Sequence, residues 1–354
     1  MIFLYLIPFL LLFIPLPIFS RGKESFHEDY ISPTQTLPIK GLFVLLVFFR
    51  HSSEYYDSGS VFDDLFFLVN ARSGQLIVAI FLFYSGFGIY ESFKKRGKDY
   101  FRSFPYRRLF KVWIHFAFAV SFFLIYSIAA DINYPTRRIL LSFTGWDDIS
   151  NSNWFMFVSF LMYILAYIVF IIFHDASKTN GLILFTILSF AAIAVLFFFK
   201  PPYWYNTILC FTAGMWFSRY KTEIEDFFFK KGKYTLILFS LLFALIVCIT
   251  LSTLFNIFVF VLIFIPIAII FSLLIVMLTM KFKISNKALS FLGKHVFSIY
   301  MLQRLPLTIL EGSIRNRYIY FVTCLSITIG ISVVFDFLMG RLDHLLFERS
   351  GKNT

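Results

Sequence analysis

The chain has 354 residues, of which 59% are hydrophobic and only 15% charged, and its mean hydropathy is +0.79. Soluble domains carry about 45–50% apolar and about 25% charged residues, so a water-soluble globular fold is excluded. The formal charge of +12, from 32 Lys plus Arg against 20 Asp plus Glu, must then be read loop by loop, because in such a chain basic residues mark the cytoplasmic side of a membrane and not a nucleic-acid partner.

Apolar stretches of about 18 residues or more recur from end to end, each long enough to cross a hydrocarbon core about 30 Å thick. They predict an all-α polytopic transmembrane bundle of about 10 to 11 spans, and the short alternating segments of a transmembrane barrel are missing. In chain order the spans fall at roughly 2 to 19, 38 to 54, 73 to 90, 111 to 130, 154 to 173, 181 to 199, 203 to 219, 234 to 252, 257 to 280, 289 to 310 and 318 to 340. No basic residue precedes the first, and no small-residue cleavage pattern follows it, so it is expected as a retained helix with Arg21 and Lys23 on the cytoplasmic side. Alternation from there places the segment from Glu91 to Lys111 inside, with Lys94, Lys95, Arg96, Lys98, Arg102, Arg107, Arg108 and Lys111. The segment after span 2, with Glu54, Asp57, Asp63 and Asp64 against Arg72, falls outside. Clusters around Arg219–Lys233 and Lys281–Lys294 also fall inside; Arg315 and Arg317 are the exception, predicted outside. The expected division is an extra N-terminal helix and linker at 1–35, a transmembrane domain at 36–342 and a cytoplasmic tail at 343–354.

The loops are short, so any chemistry must sit within or at the rim of the bundle. Cys210, Cys248 and Cys324 lie in apolar stretches without pair spacing, which suggests neither disulfides nor a metal site. Ionisable residues inside spans are functional candidates, because hydrocarbon burial of charge costs a few kcal/mol or more. His51 lies eleven residues after Lys40 on one apolar helix. At about 100° and about 1.5 Å per residue, the two share a face, about 20° apart in azimuth and about 16 Å apart in depth. Glu54, three residues on, is expected to meet His51 and hold the imidazole in one tautomer, making a general base near the outer surface. The other histidines, His27, His115, His174, His295 and His344, fall in cytoplasmic segments or near inner helix ends. Residues 85–111 form a basic inner loop that suits either anionic lipid heads or, through Arg107, Arg108 and Lys111, a phosphorylated ligand. Gln303 and Arg304 in the outer half of span 10 suggest a polar outer cavity or, for Arg304, snorkelling to the interface. Trp154, Tyr203, Trp204 and Tyr205 lie at outer helix ends, where an aromatic belt and a sugar-stacking platform have the same composition.

From about Lys40 to about Leu338 the chain resembles the acyltransferase 3 family of polytopic membrane O-acyltransferases. The resemblance is carried by the Lys40-to-His51 helix, by Ser85-Gly86-Phe87 leading into Arg107, Arg108 and Lys111, by Asn153-Trp154-Phe155, and by Leu292-Gly293, Ser298 and Tyr300. Two positions depart from the family pattern: Lys40 replaces the usual Arg and loses bidentate phosphate geometry, and Gln303 stands where many members place a His. The resemblance implies transfer of an acyl group, commonly acetyl from acetyl-CoA as donor substrate, to a hydroxyl of an extracytoplasmic carbohydrate, a surface polysaccharide or its lipid-linked precursor, across a bacterial cytoplasmic (inner) membrane, with no tightly bound cofactor. It implies that His51 is the catalytic residue and that Lys40, Arg107 and Arg108 contact the donor. Lys111 belongs to the same expected donor clamp, Glu54 to the catalytic pair, and Trp154, Gln303 and Arg304 to the acceptor side. The partners expected are acyl-CoA, a carbohydrate acceptor and membrane lipids, with no nucleic acid and no metal. Direct attack by the acceptor and a transient acyl-imidazole are both open. A transporter or lipid-linked glycan flippase, with Lys40, His51 and Arg304 lining its path, is the rival reading; the sequence shows no internal repeat of the kind many transporters use.

Overall fold

A computed structural model describes residues 1–20, 25–55, 61–176, 178–254 and 257–348. Arg21, Lys23, Asp57 and the side chain of Arg72, read above as loop charges, lie outside the described residues, as does the end of the tail from 349. The described chain is almost wholly helical: α1 (Leu6–Phe13), α2 (Pro33–Ser52), α3 (Val61–Arg96), α4 (Lys98–Arg102), α5 (Lys111–Ala129), α6 (Thr136–Ser142), α7 (Trp154–Ile172), α8 (Asn180–Phe199), α9 (Ile208–Arg219), α10 (Lys221–Glu225), α11 (Tyr234–Leu254), α12 (Ile257–Lys281), α13 (Lys287–Lys294), α14 (Val296–Leu302), α15 (Arg304–Ile309) and α16 (Arg317–Asp343). Seven helical stretches among the described residues are long and apolar enough to cross a membrane, and Ile2–Phe13 and Val296–Ile309 are shorter apolar ones. The all-α transmembrane bundle expected from composition is therefore what the chain forms.

Contacts between distant segments sort the helix ends into two groups. At one end, Lys94 donates to the Ser218 carbonyl at 2.7 Å, Lys111 pairs with Asp343 at 2.8 Å and Asn286 donates to the Ile14 carbonyl at 2.6 Å. At the other, Glu54 pairs with Arg304, and buried Asp63 pairs with Arg317 at 2.9 Å and with the Met1 amine at 2.7 Å. The first is the basic end and the second the His51 end. Arg317, one of the two charges that broke the loop pattern, thus serves as a counter-ion to a buried carboxylate, a local need that outweighs side preference.

Two helix crossings set the frame. A Cβ on Gly41 of α2 would stand 1.8 Å from the Leu289 carbonyl of α13, and one on Gly293 would stand 1.9 Å from the Leu37 carbonyl. The same reciprocity joins α3 and α9: a Cβ on Gly86 would meet the Phe211 carbonyl at 2.0 Å and one on Gly214 the Phe83 carbonyl at 2.1 Å. Such close backbone approach is open only to glycine, and in lipid, where apolar burial between helices gains little, packing of this kind holds helices together. Helix α2 itself begins where Ser32 Oγ accepts from the Gln35 amide at 3.3 Å and Pro33 takes the first turn, a capped start with proline where its missing N–H costs nothing.

Four expected elements are redrawn. The first span ends as a helix at Phe13, and Ile18–Phe19 then pairs as a short antiparallel strand with Phe282–Lys283 after α12. Span 3 is 36 residues long, since α3 runs on at both ends through charged residues that hydropathy alone discards. The basic stretch 91–111 is helical and not a loop: the end of α3, then α4 and a π-helical turn, Pro105–Phe110, that leads directly into α5. Span 10 is broken into α13, α14 and α15, with His295 and Gln303 at the breaks.

Candidate active site

Two cavities open into the bundle, one from each end. The cavity at the basic end has a volume of about 820 Å³ and is walled by residues of the 28–40 segment, α3, α7 and α14, with Lys40, Lys95 and Arg108 on its surface. Two of its carboxylates are already engaged, Glu91 with Lys94 at 2.6 Å and Asp29 with Lys283 at 3.3 Å. Lys40, Lys95 and Arg108 form no ion pair with a carboxylate among the described residues, and although Glu28 also lines the wall the three cations outnumber it, which suits the cavity to phosphate groups. The Lys40 ammonium sits 5.9 Å from the Tyr84 ring centroid, a cation–π contact that steadies it.

The second cavity, at the His51 end, has a volume of about 960 Å³ and holds His51, Arg50, Glu54, Arg304 and Trp154 on its wall. His51 is 8% exposed, and its Nδ1 has no hydrogen-bond partner among the described residues. Nδ1 is itself buried, so chemistry in the cavity falls to the other ring nitrogen, Nε2, which can accept a proton from a bound hydroxyl or attack a carbonyl. Glu54 does not hold it. The carboxylate instead bridges two guanidiniums, Arg50 at 3.1 Å and Arg304. The i,i+4 spacing of Arg50 and Glu54 is the sequence signal that found no use beside the i,i+3 spacing of His51 and Glu54, and a fixed positive charge within reach outcompetes a neutral ring for a carboxylate.

Tyr300 stands between the cavities and lines both. Its ring centroid lies 6.4 Å from that of His51 and 5.2 Å from that of Phe155, and its hydroxyl donates to the Ser152 carbonyl at 3.4 Å. The Asn-rich turn that meets it is folded by its own side chains: Asn151 Nδ2 donates to Asn153 Oδ1 at 2.5 Å, and Asn153 Nδ2 to the Asp147 carbonyl at 2.7 Å. At its rim Lys200, between α8 and α9, lies 4.2 Å from the ring centroids of both Trp146 and Trp204. Burial lowers its ammonium below the usual lysine value, against the opposing charges of Asp147 and Asp148.

The remaining expected site residues divide. Lys40 and Arg108 share the basic cavity, while Arg107, exposed and one position away on the turn, is not on its wall. Lys111 ties α5 to α16 through Asp343, which also takes a 2.9 Å contact from His115. Gln303 is fully buried, its Nε2 donating to the Tyr300 carbonyl at 3.1 Å, and it is not on the wall of the outer cavity that Arg304 lines. Adjacent helical residues point about 100° apart, so in both pairs only one member reaches its cavity. His295 contacts Asp336, as does the Ser298 hydroxyl, which gives that histidine a partner at the basic end. Arg50 and Tyr300 are the site residues to which the sequence reading gave no role.

No curated protein and no solved structure matches the chain. A family model described as an acyltransferase domain matches residues 39–337, from the residue before Lys40 to the last part of α16, which takes in the His51 cavity and all of the basic cavity's wall but the part built by residues 28–36. The chain belongs to the acyltransferase 3 family and is a multi-pass membrane acyltransferase.

Proposed function

We propose that the protein moves an acyl group, acetyl in the simplest case, from acyl-CoA held at the basic end to a carbohydrate hydroxyl at the His51 end of a bacterial inner membrane. The observation that carries this reading is the shared wall at Tyr300: a cavity with Lys40, Lys95 and Arg108 on its wall and a cavity lined by the His51 imidazole meet back to back. An acyl-CoA has the matching shape, with anionic phosphates at one end and a thioester on a thin arm at the other. Lys40 and Arg108 bind the phosphates, Lys40 as a point charge and Arg108 as a fork. The arm passes Tyr300 and brings the thioester to His51.

In the direct route His51 takes the proton of the acceptor hydroxyl, the oxygen attacks the thioester carbonyl, and the carbon–sulfur bond breaks. The thiolate of CoA leaves and recovers a proton from the imidazolium. In the alternative, His51 itself carries the acyl group between donor and acceptor. Glu54 acts on the acceptor side by fixing Arg50 and Arg304, which present guanidinium donors to the acceptor, and Trp154 offers it a ring face.

The test is ester-linked acetyl on cell-surface glycans, read by proton NMR, in cells carrying wild type or His51→Ala at matched membrane levels. Loss of a general base or nucleophile is expected to lower transfer by about 10²–10⁴-fold, which abolishes the ester signal. An unchanged signal would remove His51 from the chemistry.

A further inference from the structure

Among the described residues, helix α3 gives the wall of the His51 cavity a single polar side chain, Gln75. It lies in a stretch apolar enough to cross a membrane, where a side-chain amide left without a partner is costly. Its partner is Asn206, whose Nδ2 donates to Gln75 Oε1. Asn206 is 1% exposed. The turn before α9 fixes its backbone, since the Pro202 carbonyl accepts from the Tyr205 amide at 3.1 Å and from the Asn206 amide at 3.0 Å. The same turn sets Trp204 on the cavity wall.

The bond has a direction. A carboxamide has a donor end and an acceptor end, and with Oε1 engaged the Nε2 end of Gln75 is left over. The side chain makes no other hydrogen bond among the described residues, and its Nε2 is not buried. The far side of the Asn206 amide meets nothing: its Oδ1 is buried without a partner among the described residues. Turning both amides over would therefore leave both Asn206 N–H groups buried without an acceptor, and a buried orphan N–H is rarer than an under-satisfied carbonyl. The buried asparagine thus selects which end of Gln75 the cavity receives.

That end is a neutral donor, unlike the two guanidiniums nearby, which Glu54 holds. The cavity also carries Trp154 and Tyr203, their ring centroids 5.9 Å apart and nearly perpendicular. Aromatic faces with a few fixed polar groups between them are the usual means of orienting a small ligand, and a neutral N–H matches the hydroxyl and ring oxygens of a sugar. We infer that Gln75 binds the acceptor, its Nε2 donating to an oxygen of the carbohydrate, and that Asn206 is the positioning residue that keeps the amide turned that way. This rests on reading the His51 cavity as the acceptor side of an acyl transfer.

The experiment uses the full chain in liposomes with acetyl-CoA and the water-soluble surface glycan of the cells the chain comes from, stripped of its esters by mild alkali. Three quantities are measured: the KM for glycan, the KM for acetyl-CoA, and CoA release without glycan. Gln75→Met is expected to raise the glycan KM about three- to tenfold, the worth of one neutral hydrogen bond, with the other two quantities within twofold of wild type. Gln75→Glu still accepts from Asn206 but carries no amide N–H; it shares the rise and keeps the test open where Gln75→Met fails to fold. Asn206→Asp, whose carboxylate only accepts, turns the Gln75 amide over and is expected to raise the glycan KM in the same way at an unchanged unfolding temperature. A purely structural pair would instead lower the unfolding temperature and leave that KM alone, which overturns the inference. A parallel fall in CoA release without glycan would place Gln75 on the thioester and overturn it too, leaving the acyl-transfer reading intact. No transfer to the glycan by wild type overturns both.

Discussion

Tyr300 lines both cavities, with the His51 and Phe155 rings beside it, so in the proposed transfer its ring is the wall between donor and acceptor. The ring, more than the hydroxyl, does this work, since the hydroxyl makes a single long contact to Ser152. Tyr300→Phe is expected to keep transfer within a few-fold, whereas Tyr300→Ala joins the two cavities and admits water to the thioester. The measurement is CoA thiol release against acyl transfer: the ratio rises in Tyr300→Ala, and an unchanged ratio would show that the ring seals nothing. Neighbouring Arg107 and Arg108 give a second contrast. Only Arg108 is on the cavity wall, and a hydrogen bond to a charged group contributes about 1.5–3 kcal/mol. Arg108→Ala is therefore expected to raise the KM for acyl-CoA by about ten- to a hundredfold, with Arg107→Ala near wild type. Equal effects of the two would assign the stretch to general charge attraction.

The glycine crossings work at the level of whole helices. Gly41 and Gly293 seat α2 on α13, and Gly86 and Gly214 seat α3 on α9, with would-be Cβ contacts of about 2 Å to backbone carbonyls that have no room to move. Because Gly41 adjoins Lys40 on the helix that also carries His51, the α2–α13 crossing fixes the placement of both ends of the proposed transfer path. Gly86→Ala and Gly293→Ala are expected to destabilise the bundle by at least ~1–3 kcal/mol, the usual cost of overpacking, and more here because backbone blocks the site. Gly330 of α16 has nothing within 4 Å of a built Cβ, so Gly330→Ala is expected to be neutral or to gain up to ~1 kcal/mol in helix propensity. Thermal unfolding in detergent distinguishes them, and a Gly293→Ala protein as stable as Gly330→Ala would refute the packing argument. The resemblance had singled out Gly86 and Gly293 as parts of short motifs without a reason; the reason is these two contacts.

Seen whole, the bundle has the cavity of Lys40 and Arg108 at one end and the His51 cavity at the other, and the proposed two-sided reaction needs each end to meet a different compartment. Tyr203, 40% exposed on the outer cavity, and Asp29, at the mouth of the basic one, report on this. A membrane-impermeant maleimide is expected to label Tyr203→Cys from one face of sealed vesicles and Asp29→Cys only from the other. Labelling of both from the same face would defeat a transfer path across the bilayer. The general form of the molecule was legible in its residues: hydropathy marks spans because backbone polar groups in lipid must bond within their own helix, and the Lys40-to-His51 spacing follows from helical geometry alone. The sequence also pointed to the sharpest candidate, since an ionisable ring in an apolar stretch has few bland explanations. What it left undecided is which charges find each other, because a helix brings several partners within reach and only the neighbouring helices select among them. Glu54 lies three residues from His51, yet Arg304, 250 positions away, joins Arg50 in claiming it. Gln303 and Arg304 are adjacent, yet one turns into the core and the other into the cavity. Pairing and facing of this kind depend on distances across the bundle, which no local spacing encodes, and they were settled when the glycine crossings brought the helices together.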